Sequence, residues 1–161
     1  MSREAITKFD GTQYGFLSNF HPCKVVYNGI EYKHTEGAFQ AQKTLDENLK
    51  VDIAKLSASE SKKACGRHGL MLKDGTFIKV DLRPDWEEVK DQIMYEVVKA
   101  KFEQNSELRE KLLATEDAEL IEGTTWHDNY WGNCTCPRCV NKMGRNQLGK
   151  TLMRVREELR G

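Results

Sequence analysis

Behind Pro84-Asp85, the residues Trp86, Val89, Ile93, Val97 and Ala100 recur at helical spacing, the strongest periodic signal in the chain. Proline suits the first turn of a helix, because its missing N–H is one of the donors that a helix start leaves unpaired anyway. The spacing predicts a long helix to about Gln104. Shorter helices are predicted around it: from a Thr35 cap to about Leu45, from the capping box Ser57-Ala58-Ser59-Glu60 to a stop at Gly66, and from Glu107 to Ala114. A last one runs from Arg145 to Leu159, with Leu148, Leu152, Val155 and Leu159 as its buried stripe. Strand signals are few and local. Lys24-Val25-Val26-Tyr27 and Ile30-Glu31-Tyr32 flank Asn28-Gly29, a dipeptide suited to a type I′ hairpin turn, and Leu120-Ile121-Glu122 reads as a short extended piece. A parallel βαβ sheet has no material to be built from, so the class is α+β, mainly helical, with a short N-terminal β-hairpin.

At 161 residues the chain is expected to be one domain spanning 1–161. Lys and Arg total 25 against 25 Asp and Glu, which excludes a global electrostatic drive toward nucleic acid or anionic lipid; such a partner would need a local basic patch. No apolar run approaches the roughly 18–20 residues that cross a bilayer, and Met1–Asp10 has no apolar signal stretch, so a cytoplasmic location without a membrane partner is expected. Five cysteines, three of them within six residues, do not make a disulfide framework, and reduced thiols are the default.

Four stretches bear chemistry. Glu36, Gln40 and Lys43 fall within an arc of about 60° on a helix, so a carboxylate, an amide and an amine share one face beside Phe39. That grouping suits a polar ligand, with a partly desolvated Lys43 as amine nucleophile; the plainer reading is a solvated helix face. Thr125-Trp126-His127-Asp128-Asn129-Tyr130-Trp131-Gly132 suits stacking on a planar base, or else is an aromatic corner of the core. Gly144-Arg145-Asn146-Gln147-Leu148-Gly149-Lys150-Thr151 matches the phosphate-loop pattern, but the buried strand before it and the sheet after it are missing. What survives is a helix start able to hold a phosphate through backbone N–H donors and Arg145. Cys134, Cys136 and Cys139 are three candidate ligands for a zinc ion that wants four; His127, Cys65 or Cys23 are the possible fourth, and unligated thiols are the default.

Tyr14-Gly15-Phe16-Leu17-Ser18-Asn19-Phe20, Thr35 through Lys43, Asp85-Trp86, Lys101-Phe102, Asp128 through Gly132 and Gly144 through Gly149 together resemble the NADAR family, also called YbiA-like, in order and spacing from about Phe9 to Arg156. The resemblance implies a mainly helical α+β fold and cleavage of N-glycosidic bonds, without a cofactor. It implies one of two substrates: ribosylamino-pyrimidine phosphates of the riboflavin pathway, or ADP-ribose attached to guanine in nucleic acid. Both join a ribose to an exocyclic amine. On such a bond Lys43 is the candidate nucleophile, Glu36 orients ribose hydroxyls or shuttles protons, and Asp128 is the second acid/base. The resemblance places Asn19, with Phe20, in the ligand pocket; Gln40, Trp86, Trp131 and Gly132 are the other candidate contacts, and Arg67, Arg145 and Asn146 the candidates near phosphate.

The segment Asn133 to Cys139 departs from the family, many members of which carry Gly- or Asp-rich residues there, so the cysteines are assigned no catalytic task and look like a local staple. The leading expectation is an N-glycosidase removing ADP-ribose from guanine, with the riboflavin-type intermediate as the alternative and no obligate protein partner. An opposing class is a non-catalytic reader of ADP-ribose or nucleic acid, which would need no amine and carboxylate converging on one helix face.

Overall fold

The structure, a computed structural model, describes residues 4–161. In chain order the elements are helix α1 (Gly11–Tyr14), strands β1 (Val25–Tyr27) and β2 (Ile30–Tyr32), and helices α2 (Thr35–Ala41), α3 (Glu47–Ile53) and α4 (Ala58–Ala64). Strands β3 (Leu70–Met71) and β4 (Phe77–Ile78), helices α5 (Trp86–Gln104) and α6 (Ser106–Leu113), strands β5 (Gly123–Thr124) and β6 (Asn133–Cys134), and helix α7 (Gln147–Arg160) follow. The α+β, mainly helical class holds. The elements fall into two compact units, one of Asn19–Asn105 and one joining residues 4–18 to Ser106–Gly161, and each is described by itself.

In the unit of Asn19–Asn105, Asn28 and Gly29 take φ of 49° and 83°, the left-handed pair a type I′ turn requires, and β1 pairs antiparallel with β2, Val25 opposite Tyr32. The long helix lies where its spacing predicts. Helix α5 packs on α2 and β1, burying Trp86, Ile93, Met94, Val97, Val98 and Phe102, each such side chain contributing about 1.5–3 kcal/mol; Val89 and Ala100 are only half-buried. The Ser57–Glu60 capping box forms as predicted and opens α4.

Helix α2 differs from expectation at both ends. His34, not Thr35, is its cap: His34 Nδ1 accepts the Gly37 N–H at 2.9 Å, while Thr35 Oγ1 donates to Asn19 Oδ1 at 2.9 Å. A Cβ at Gly37 would come within 2.9 Å of the His34 ring, so this cap requires glycine. The helix ends at Ala41 rather than near Leu45, because the N–H groups of Gln42, Lys43 and Thr44 bond only three residues back, and Asp46 then caps α3 through Asn48 and Leu49. Helix α3 and the β3–β4 hairpin carry no predicted element; Asp46 and the Asp74-Gly75 turn are their local signals.

In the other unit, α6 packs on α7, and Leu108, Leu112, Leu148, Leu152 and Val155 form its centre with Ile6 and Leu120. Leu159 is half-buried, and the stripe is completed instead by Arg156, whose Nη1 donates to Thr115 Oγ1 and Ala118 O at 2.9 Å each. The extended piece expected at Leu120–Glu122 narrows to a bridge between Leu120 and Ile6, with strand β5 just after it pairing parallel to β6.

Candidate active site

Helix α2 positions the first group. Glu36 and Gln40, one turn apart, are both buried, and Gln40 Nε2 donates to Glu36 Oε1 at 2.9 Å; Gln40 Oε1 is buried without a partner. Lys43 lies just past the helix, in the turn where its N–H bonds to Gln40 O at 3.1 Å, so the amine joins this face through a turn rather than the predicted third helical position. Its Nζ stands 5.8 Å from the centroid of the Trp86 ring, which packs on Phe39 at 5.1 Å. Burial pushes the Lys43 amine below the free-lysine range, with the nearby Cys65 and Glu36 opposing the shift and Lys62 and Lys90 adding to it. Cys65 is itself pushed up to about 12 by burial, so at neutral pH it is an uncharged thiol.

Asn19, expected at the ligand, also bonds within its unit: its backbone carbonyl accepts the Glu36 N–H, Oδ1 accepts from Thr35, and Nδ2 donates to Met94 Sδ at 3.4 Å. It therefore fixes where Glu36 starts. Phe20 and Arg67 are both exposed. Cys65 was weighed in the sequence only as a zinc ligand; a lone cysteine after a helix carries no sequence signal for a place beside Lys43.

The Thr125–Gly132 stretch, in the other unit, is a loop closed on itself. Asp128 Oδ1 accepts the N–H groups of Tyr130 (3.1 Å) and Trp131 (2.9 Å). Carbonyls of Asn129, Tyr130, Trp131 and Gly132 accept from Arg145, Gln147, Leu148 and Asn146, so the donors at the start of α7 are taken. The expected phosphate seat on those backbone donors is therefore filled by the loop itself. Asn146, expected near the substrate, holds framework with both ends of its amide: Nδ2 donates to Leu120 O and Oδ1 accepts from the Glu122 N–H. Gly149, within the apparent phosphate-loop pattern, is instead a packing residue: a Cβ there would run into Leu120 O and the Asn146 amide. Arg145 stays exposed, its guanidinium 5.4 Å from the Tyr130 ring centroid, while Trp131 is half-buried against Tyr130 at 4.8 Å and Gly132 is buried.

This unit also holds a cavity of about 510 Å³ lined by Lys8, Phe9, Asp10, Glu122 and Trp126 among others, and by none of the candidate residues. Chemistry rather than volume selects the site, since that cavity gathers no pairing like Glu36 and Gln40. Beside the loop, the donor atoms of His127, Cys134, Cys136 and Cys139 all lie within 4.8 Å of one another; of the residues the sequence offered as a fourth ligand, His127 takes the place. Among the described residues no helix is long and apolar enough to cross a membrane.

These observations define a mainly helical α+β protein with a buried, hydrogen-bonded carboxylate and amide on one short helix and a half-buried amine just past that helix. The chain belongs to the NADAR domain family, whose model matches residues 7–160. It is 38% identical over 159 residues to N-glycosidase YbiA of Shigella boydii, covering 98% of this chain and 90% of that one. It is also 34% identical over 146 residues to a riboflavin biosynthesis protein of Vibrio vulnificus, of which it covers 36%. The NMR structure of Escherichia coli YbiA aligns with a TM-score of 0.76 at 36% identity, covering 98% of this chain and 86% of that one.

Proposed function

We propose that this chain is an N-glycosidase that removes ADP-ribose from guanine in nucleic acid by amine catalysis at Lys43. The activity class rests on relatives named N-glycosidases that are matched over nearly their whole length. The observation that carries the chemistry is the buried Glu36–Gln40 pair beside the desolvated amine of Lys43. An N-riboside on an exocyclic amine opens its ring to an imine at C1. The neutral Lys43 amine adds to C1, the C1–N bond to the base breaks, and the base leaves as its free amine once a proton has been returned to it. Water then hydrolyses the Lys43 Schiff base, giving back the amine and the free sugar. Glu36 carries the protons between these steps, and the unpartnered Gln40 Oε1 accepts a ribose hydroxyl. Trp86 offers an aromatic wall beneath the amine.

The nucleic-acid choice is supported by the exposed Arg145 over Tyr130 and by Trp126, 55% exposed, which suit a phosphate and an unstacked base. Five free cysteines suit the reducing cytoplasm. A second reading, cleavage of ribosylamino-pyrimidine phosphates, is favoured by the names of the relatives from Vibrio vulnificus and Zea mays. Turnover of ADP-ribosylated guanine DNA and of the ribosylamino-pyrimidine phosphate, assayed side by side with mass spectrometry of the fragments, tests the choice. Free ADP-ribose from the first substrate is expected. Cleavage of the second alone transfers the chain to the second reading, and silence on both, with ADP-ribose still bound, makes it a reader.

A further inference from the structure

The chain Asn133 to Cys139 does something the glycosidase reading does not use. His127 Nδ1 lies 3.2 Å from Cys136 Sγ and 3.5 Å from Cys139 Sγ, and Cys134 Sγ completes a group whose atoms are all within 4.8 Å of one another. A tetrahedral zinc ion with Zn–S of about 2.3 Å and Zn–N of about 2.0–2.1 Å sets its ligand atoms about 3.5–3.8 Å apart, so the four are spaced for one ion. None of the three thiols is in a disulfide; Cys134 and Cys139 are buried and Cys136 half-buried.

The backbone is shaped to the same end. His127 takes φ of 68°, a left-handed conformation costing a residue with a Cβ about 1–2 kcal/mol, and it turns both its ring and its N–H toward the cysteines. That N–H reaches Cys134 Sγ at 3.3 Å. Backbone donors on a sulfur are the outer support that thiolate ligands of a metal require. Cys139 N–H in turn bonds to Cys136 O at 2.9 Å, closing the turn that aims both of their side chains inward.

We propose that His127, Cys134, Cys136 and Cys139 bind one zinc ion as a structural staple. Four protein ligands leave no open position, so the ion holds structure rather than activating water. One Zn²⁺ enters and three thiol protons leave, making binding weaker as pH falls. The staple fastens the end of β6 to His127, the residue before Asp128. The Trp126–Gly132 loop is thus held on one side by the ion and on the other by the start of α7.

The test is elemental analysis of full-length protein purified under reducing conditions without chelator. About one zinc per chain is expected, with three thiols unreactive toward a thiol reagent until a strong chelator is added. Replacement by cobalt should give the intense visible absorption of a tetrahedral thiolate site. Cys136→Ser and His127→Ala should lose zinc at least tenfold more readily to a chelator, whereas His127→Cys should retain it. Should the variants not fold, the wild-type metal content and cobalt spectrum still decide. Metal-free protein whose thermal midpoint ignores chelator, a mapped disulfide among the three cysteines, or zinc retained by both Cys136→Ser and His127→Ala would overturn the proposal.

Discussion

Gln40 donates to Glu36 at 2.9 Å while its own side-chain oxygen is buried with nothing to accept from. An unmet buried polar atom costs about 1–3 kcal/mol, a cost that a fold retains where a ligand supplies the missing donor. Gln40→Met keeps the volume and removes the unmet oxygen. It also removes the Nε2 donor to the buried Glu36, so the two effects oppose and stability in urea melts should stay within about 1–3 kcal/mol of wild type. KM should rise at least tenfold through loss of a ribose contact; an unchanged KM shows that the oxygen does not face substrate.

Asp128 separates framework from chemistry. Its Oδ1 holds the N–H groups of Tyr130 and Trp131, a task the Asn side-chain oxygen can also perform. Asp128→Asn should therefore melt within about 1 kcal/mol of wild type, whereas Asp128→Ala should lose about 1–2 kcal/mol. If Asp128 moves protons in the reaction, Asp128→Asn loses 10²-fold or more in kcat despite its stability. A stable and fully active Asp128→Asn would confine the carboxylate to holding the loop.

Which parts of this were legible depended on how local the signal was. The Asn28-Gly29 hairpin, the Ser57–Glu60 capping box and α5 are each written in a few neighbouring residues, and each forms as read. The end of α2 was not legible, because nothing between Ala41 and Thr44 breaks a helix by itself; the stop comes from Asp46 starting α3. Asn19 and Asn146 are expected as ligand contacts, and their amides also bond partners 16 and 26 residues away, Thr35 and Leu120. No periodicity announces such bonds. Likewise the sequence leaves the three cysteines as unligated thiols by default, with His127, Cys65 or Cys23 as the possible fourth ligand of a zinc ion, and only the fold brings the His127 ring to them.

Lys101 gives a pH signature. Fully buried, its amine is pushed down to about 8 by desolvation, partly opposed by Cys23. Between pH 8 and the unfolded value of about 10.4 the unfolded chain binds the extra proton, so this residue's contribution to stability rises with pH, by an upper limit of about 3 kcal/mol. Cys65 and Tyr32, both pushed up to about 12, act oppositely, Cys65 above about pH 9 and Tyr32 above about pH 10. The contribution is therefore read as a difference: wild type should gain stability relative to Lys101→Met between pH 8 and 10 in urea melts. Parallel pH profiles would show that Lys101 remains protonated throughout.

Gly149 tests the reading of the sequence that mimics a phosphate loop. A Cβ there collides with Leu120 O and the Asn146 amide, so Gly149→Ala should lower the thermal midpoint by several degrees, the equivalent of about 2 kcal/mol or more. Lys150→Ala, at an exposed position of the same pattern, should change neither stability nor turnover. Loss of turnover in a stable Lys150→Ala would restore a phosphate-binding role to the motif.

The amine of Lys43 is the central claim, and borohydride trapping tests it most directly. Wild-type protein mixed with ADP-ribosylated guanine substrate and reduced during turnover should carry one covalent ribosyl adduct, located by peptide mass spectrometry on Lys43. Trapping should increase with pH through an inflection below the free-lysine range, as burial of this amine requires. Lys43→Ala should form no adduct and lose 10³-fold or more in turnover. Full turnover by Lys43→Ala, or an active wild type that is never trapped, would contradict covalent amine catalysis and return the reaction to acid/base chemistry at Glu36.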